Sequence, residues 1–260
     1  MIEHLARLGY ASKAVIYAII GVLAILAATN QGGEVTDTSG ALRVVLGQPF
    51  GRLLLVLLAA GLCGYGIWRL LDAFTDPDRE GTGFGGLVER IGKAVRGMIY
   101  GALGLEAIRL FRGLGESSGD EAQIWTARIM DWPLGEFIIG ITGAIVCLYG
   151  LSEILDSLRE KRDAKIDMSV LPGGWRSPLA MISRFGVGAR GAIIATLGFF
   201  LVRAAIEHDP TEAAGTRQST LELAGAVEGR WLLALIAAGL LAYAVDQAVH
   251  SRCRRIRPVV

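Results

Sequence analysis

Residues 90–111 read RIGKAVRGMIYGALGLEAIRLF. Taken alone, this stretch makes a poor membrane helix. A span needs about 20 mostly apolar residues, and the uncharged part here is only Gly97–Leu105 before Glu106 and Arg109 interrupt it. By itself it reads equally well as an interfacial or core helix. Two other stretches decide it. Arg90-Ile91-Gly92 recurs as Arg7-Leu8-Gly9 and as Arg184-Phe185-Gly186. Each glycine is followed four residues later by a cation (Lys13, Arg96, Arg190), then by a small residue (Ala14, Gly97, Gly191). Ala18, Gly101 and Ala195 come next, then Gly21, Gly104 and Gly198.

A second series repeats in step. Pro49-Phe50-Gly51-Arg52 matches Pro133-Leu134-Gly135-Glu136, and Gly229-Arg230 matches their last two residues. Tyr65, Tyr149 and Tyr243 align, as do Cys63 and Cys147. Both series recur at an interval of about 90 residues, the mark of a duplicated unit. The other uncharged runs are Ala14–Gly33, Leu53–Trp68, Phe137–Ser152, Gly191–Val202 and Trp231–Val245. They reach spanning length once flanking Lys and Arg extend toward the interface. The fold expected is all-α and polytopic. Six transmembrane helices form three parallel two-helix repeats (1–78, 79–165 and 166–260) within one membrane domain, each with a short interfacial helix between its spans.

The composition agrees. Hydrophobic residues make up 52% of the chain without counting glycine, and there are 35 Gly. Both exceed soluble norms and suit membrane helices. A net charge of +1 gives no footprint for nucleic acid. Cys63 and Cys147 sit in apolar runs and read as small repeat-position residues, not a disulfide framework. His4, His208 and His250 lack a second ligand at metal-binding spacing, so neither metal nor other cofactor is expected. The N-terminal run resembles a signal peptide, but two internal segments share its pattern, so it reads as a retained helix.

Lys and Arg set the orientation. Eighteen of the 26 fall on the side of the N-terminus, the C-terminus and the loops after the second and fourth spans; eight fall on the other. The basic side is normally cytoplasmic, which puts both termini inside a bacterial cytoplasmic membrane. The tail Arg252, Arg254, Arg255 and Arg257 reads as a lipid-facing anchor. Each copy has an even number of spans, so all copies enter the same way up, and a closed arrangement has pseudo-threefold symmetry. Ser39–Leu46, Gly119–Met130 and Ser219–Val227 are the amphipathic stretches, with Ser or Thr nearby to cap them.

Three sets of residues stand out. Gly21, Gly97, Gly101, Gly104, Gly191 and Gly198 fall on stripes spaced four and three, which bring helix backbones close in lipid. Lys13, Arg96 and Arg190 stand one turn inside the basic end, with Tyr17 and Tyr100 on the same face as the first two. They are either snorkelling charges or a ring around an anion or lipid headgroup. Glu106, about two-thirds of the way along its span, forms with Arg109 a candidate intramembrane polar site, either a structural ion pair or a functional one; it breaks the symmetry, since Leu23 and Phe200 are its equivalents, and Arg109 at i+3 is its nearest counter-charge. Arg69, Glu153 and Gln247 each follow an aligned tyrosine by four and are expected to make polar contacts between copies.

Gly47-Gln48-Pro49-Phe50-Gly51-Arg52, Gly64-Tyr65-Gly66-Ile67-Trp68-Arg69 and the thrice-repeated Arg-x-Gly starts resemble a family of bacterial membrane proteins catalogued as domain of unknown function 1206. The likeness covers nearly the whole chain. The third copy departs most, with Ala244 for the glycine after tyrosine and no proline before its second span. The resemblance implies a membrane location and a repeated two-helix fold, and no activity. Helix, short amphipathic helix, helix is also the pattern of mitochondrial carriers, but their Pro-x-[Asp/Glu]-x-x-[Lys/Arg] signature is absent. No nucleophile–base pair or metal cluster appears, and Gly83-Phe84-Gly85-Gly86 lacks the Lys and Ser/Thr of a phosphate loop. The expected role is a non-enzymatic membrane component (a scaffold, a lipid-interacting protein or a subunit of a complex) touching membrane lipids, anionic ones among them; the alternative is a small-solute or ion transporter or channel with pseudo-threefold symmetry.

Overall fold

The charged helix starts do not break the helices; they are built into them. In the computed structural model α1 (Ile2–Ala28) begins well before Lys13, and α3 (Gly51–Thr75) runs on past Arg69. The same holds for α4 (Phe84–Phe111), α6 (Gly135–Leu158), α7 (Arg176–Glu207) and α9 (Arg230–Cys253). Short helices α2 (Thr38–Leu46), α5 (Glu121–Met130) and α8 (Thr216–Gly225) lie between the members of each long pair. The structure describes residues 2–75, 83–114, 121–158, 176–213, 215–225 and 230–253. Arg254, Arg255 and Arg257 of the basic tail, the repeat boundaries, and the edges of two amphipathic stretches (119–120 and 226–227) fall outside them.

The local turns repeat as the helices do. Asn30, Gly113 and His208 all have positive φ (54°, 72° and 58°) just past α1, α4 and α7. After each, a backbone N–H reaches back five residues: Gln31 to Leu26, Leu114 to Arg109, Asp209 to Ala204. This is one helix-ending motif used three times. Before α3 and α6 the turns also match. Phe50 and Leu134 take positive φ of 62° and 67°. A Cβ on the following Gly51 or Gly135 would strike the carbonyl of Val45 or Ile129, which are themselves equivalent. The cap of α2 differs from expectation. Asp37, not Ser or Thr, accepts from the Gly40 N–H at 2.8 Å, because it sits one residue before the helix.

The long helices follow one another around the molecule as α4, α3, α1, α9, α7, α6. The tightest pairs are α3 with α4, α6 with α7, and α9 with α1. In each, the second helix of one copy packs on the first helix of the next, and the last closes onto the first. Glycines explain the closeness. A Cβ on Gly104 would meet Cys63 Sγ at 2.5 Å, one on Gly198 would meet Cys147 Cα at 2.6 Å, and one on Gly21 would meet Leu241 Cδ2 at 2.8 Å. Cys63, Cys147 and Leu241 are equivalent positions, so the three seams are one seam repeated. Gly97 and Gly191 press likewise on the carbonyls of Gly66 and Gly150, at 3.0 and 2.9 Å. Gly101 departs from its stripe: Gly66 abuts its backbone, yet a Cβ on Gly101 itself would meet nothing within 4 Å.

Among the described residues five helices (α1, α3, α6, α7 and α9) are long and apolar enough to cross a bilayer. The fold is therefore an all-α, multi-span membrane fold with repeat-like helix contacts. At 28 residues α4 is long, but charge crowds both its ends: Glu89, Arg90, Lys93 and Arg96 at one, Glu106 and Arg109 at the other.

Candidate functional site

Each long-helix pair brings a cation to a tyrosine. Lys13 Nζ lies 4.7 Å from the ring centre of Tyr65, the Arg96 guanidinium 5.2 Å from Tyr149, and the Arg190 guanidinium 5.2 Å from Tyr243. The three cations and three tyrosines converge on one chamber of about 320 Å³, whose walls come from all six long helices. It lies toward the end of the bundle that carries both termini.

The walls are held by ion pairs and ring contacts between copies. Arg69 donates to the Tyr65 hydroxyl (3.0 Å), the Tyr10 hydroxyl (3.3 Å) and Asp72 (3.1 Å). The other oxygen of Asp72 faces Lys93 of α4 at 3.5 Å. Glu153 accepts from Arg190 of α7 (3.1 Å) and from the Tyr149 hydroxyl (2.8 Å). Asp246 accepts from Gln247 (2.8 Å) and Ser183, and faces His250 at 3.4 Å. Of the trio Arg69, Glu153 and Gln247, then, Glu153 reaches across copies directly and Arg69 does so through Asp72. Two edge-to-face tyrosine pairs complete the frame: Tyr65 with Tyr100 at 5.0 Å and Tyr17 with Tyr243 at 4.7 Å. The third equivalent place holds Ile194, so the aromatic ring is open there.

Lys13 stands apart. It is only 4% exposed, and its ammonium faces four tyrosine rings: Tyr65, Tyr100 (4.5 Å), Tyr10 (5.6 Å) and Tyr243 (5.8 Å). Among the described residues no carboxylate and no hydrogen-bond acceptor meets it, and the same is true of Arg96, whose buried Nε lacks an acceptor. An isolated buried ammonium is costly, and aromatic faces offset that by about 2 kcal/mol or more once water is excluded. Tyr17 stands behind the wall, receiving a 3.4 Å contact from Arg190 Nε.

Glu106 is elsewhere. It does not line the chamber; it lies near the far end of α4, where it accepts a 2.8 Å hydrogen bond from Ser39 of α2. Arg109 is exposed. The spacing of residues along α4 gave no sign of the contact that α2 makes with Glu106. Reading the sequence also missed Tyr10, Asp72 and Asp246. Asp72 was findable, since it follows Arg69 by three on the chamber face, a spacing that pairs charges on a helix.

With this geometry established, comparison with known proteins gives a coherent result. The family model described as "Domain of Unknown Function (DUF1206)" matches three times, over residues 8–76, 91–159 and 185–254. Each range falls inside one of the copies read from the sequence. A relative described as "Uncharacterized protein YxxB" of Bacillus subtilis (strain 168) is 31% identical over 242 residues, covering 93% of this chain and 87% of its own. No solved structure matches. Three matches over most of the chain, long apolar helices and a bacterial relative agree: this chain is a multi-pass membrane protein and belongs to the DUF1206 family.

Proposed function

We propose that this protein is a non-enzymatic, lipid-interacting membrane component whose chamber binds the phosphate of an anionic headgroup. The observation that carries the reading is Lys13: a cation buried among four tyrosine rings, open to a chamber and lacking a counter-ion among the described residues. Arg96, which also lines the chamber, is the second unmatched cation. A phosphate between them would accept charge-assisted hydrogen bonds from both and further bonds from tyrosine hydroxyls. The remaining lining charges are of both signs, with Glu89, Glu153, Asp156 and Asp246 against Arg69, Lys93 and Arg190. Arg69, Lys93 and Arg190 each face a carboxylate, which leaves Lys13 and Arg96 as the lining cations open to an anion. Glu106, the charge that would mark a solute pathway, lies outside the chamber, which favours binding over transport.

The same reading makes α4 a sixth span, completing three parallel two-helix repeats. Its support is the shared seam: α4 packs on α3 through Gly97 and Gly104 as α7 packs on α6 through Gly191 and Gly198. A helix seamed in this register against one spanning neighbour, α3, is placed to cross beside it. The excess of Lys and Arg on the chamber side supports cytoplasmic termini in a bacterial plasma membrane.

The test is retention of anionic lipid. The full chain is purified as wild type, Lys13→Gln, Arg96→Gln, Arg190→Gln and the triple variant, and bound phosphatidylglycerol is measured by native mass spectrometry. A shared site predicts at least a tenfold loss from Lys13→Gln or Arg96→Gln and little further loss in the triple, because coupled residues do not add. Unchanged retention in the triple variant would leave the three cations as independent snorkelling charges.

A further inference from the structure

The six long helices form five closed seams and one open one. Within copy one, α1 packs on α3; within copy three, α7 packs on α9; within copy two, α4 and α6 scarcely touch. The sequence explains the difference. In copies one and three the first helix places a glycine against the chamber tyrosine of the second: a Cβ on Gly9 would strike Tyr65, and one on Gly186 would strike Tyr243. The equivalent Gly92 meets only the tip of Arg96, at 3.7 Å. One turn along, Gly61 packs on Ser12 and Gly239 packs on Ala189 so closely that neither could bear a Cβ. Copy two has Ile145 for that glycine and Val95 for that serine or alanine. Two β-branched side chains in place of a glycine and a small residue hold the helices apart.

The gap has an apolar lining and a polar floor. Ile91 and Val95 of α4 are 54% and 41% exposed, and Ile145 and Leu148 of α6 are 62% and 66% exposed. All four stand at positions whose equivalents are seam contacts in the closed copies. Where the gap meets the chamber, Arg96 reaches across from α4 to the Tyr149 ring of α6. An apolar slit opening sideways onto an unmatched arginine matches one ligand shape: an anionic phosphate with a long hydrocarbon chain.

We infer that the α4–α6 seam is a lateral portal through which a phospholipid reaches the chamber, its phosphate between Arg96 and Lys13 and an acyl chain lying between Val95 and Ile145. This rests on the anion-binding reading of the chamber and adds the class of ligand and its route. A free phosphate or a water-soluble phosphoester would need no slit, and a second copy of the chain would bury it.

The experiment separates these. The full chain in lipid nanodiscs is prepared as wild type, Lys13→Gln, and the plug variants Val95→Trp and Ile145→Trp, whose added rings fill the slit from either side. Two probes are used: phosphatidylglycerol carrying a diazirine midway along one acyl chain, and soluble glycerol 3-phosphate. The portal predicts photolabel on the α4 and α6 segments around Val95 and Ile145. It also predicts at least a tenfold fall in labelling there for each plug variant and for Lys13→Gln. Glycerol 3-phosphate should compete weakly in wild type and equally well in the plug variants, since the chamber itself is untouched. Both plugged positions are largely exposed, and an unchanged melting temperature verifies the fold. Labelling spread evenly around all six helices and indifferent to the plugs, with Lys13→Gln still lowering lipid retention, would overturn the portal and leave the chamber standing. Retention indifferent to Lys13→Gln would remove both. Covalent dimers from a lone Ile145→Cys in an otherwise cysteine-free chain would also overturn the portal, giving the slit to a second copy.

Discussion

At the residue scale, glycines with the same name do different jobs. Gly104 and Gly101 are neighbours on one stripe of α4, yet a side chain at Gly104 collides with Cys63 while one at Gly101 points into open space. Gly101→Ala should therefore leave thermal stability in detergent within a degree or two of wild type. Gly104→Leu should lower it strongly, since overpacking a tight seam costs about 1–3 kcal/mol even for small additions. Equal melting curves for the two variants would show that the stripe does not face α3. The cations follow the same rule. Arg190 has Glu153 at 3.1 Å, so removing it takes a counter-charge from a buried carboxylate, whereas Lys13 meets no described carboxylate. Arg190→Gln should destabilise the fold more than Lys13→Gln, which a paired thermal melt of the two variants reads directly.

Helices are the scale at which the copies diverge. Gly9, Gly92 and Gly186 are indistinguishable in the sequence, each inside the same Arg-x-Gly triplet. Only the structure shows that two of them carry a helix–helix contact and the third does not. Gly186→Ala should lower stability and impair the docking of α9 on α7, and Gly92→Ala should be silent. A destabilised Gly92→Ala would mean that α4 and α6 close on each other in the membrane. The asymmetry was nonetheless written down: Ile145 breaks the Gly61–Gly239 series and Ile194 breaks the Tyr17–Tyr100 series. Periodicity revealed the stripes and the cation–tyrosine positions, because those depend on spacing along one helix. It could not reveal which helix a stripe faces, nor that Glu106 is covered by α2, because those depend on which neighbour the chain folds back against.

For the whole molecule, the repeat-like helix contacts make a ring with one weak joint. Three identical units would close with three identical internal seams. Here two are sealed by glycine and the third is propped open by isoleucine and valine. The orientation of this ring is open to direct measurement. A reporter fused after Val260 should read cytoplasmic, and one inserted after Leu114, at the far end of α4, should read outside. A cytoplasmic reading after Leu114 would remove α4 from the set of spans. Both readings reversed would turn the chamber to face outward. The all-α, multi-span class was legible from the apolar runs; the order of helices around the chamber was not, since nothing in a linear pattern states that the last helix meets the first.

That meeting has a cost in time. The nearest neighbour of α1 is α9, made long after it, and Arg7 fastens the two by donating to the carbonyls of Ser251 (3.1 Å) and Arg252 (2.5 Å). During synthesis α1 enters the bilayer with its Gly21 face bare and Lys13 only partly caged, because Tyr243 and Tyr100 do not yet exist as neighbours. The nascent chain must carry that uncovered face through the production of more than two hundred further residues. A chain that stops short of α9 therefore keeps the Gly21 face of its first helix uncovered.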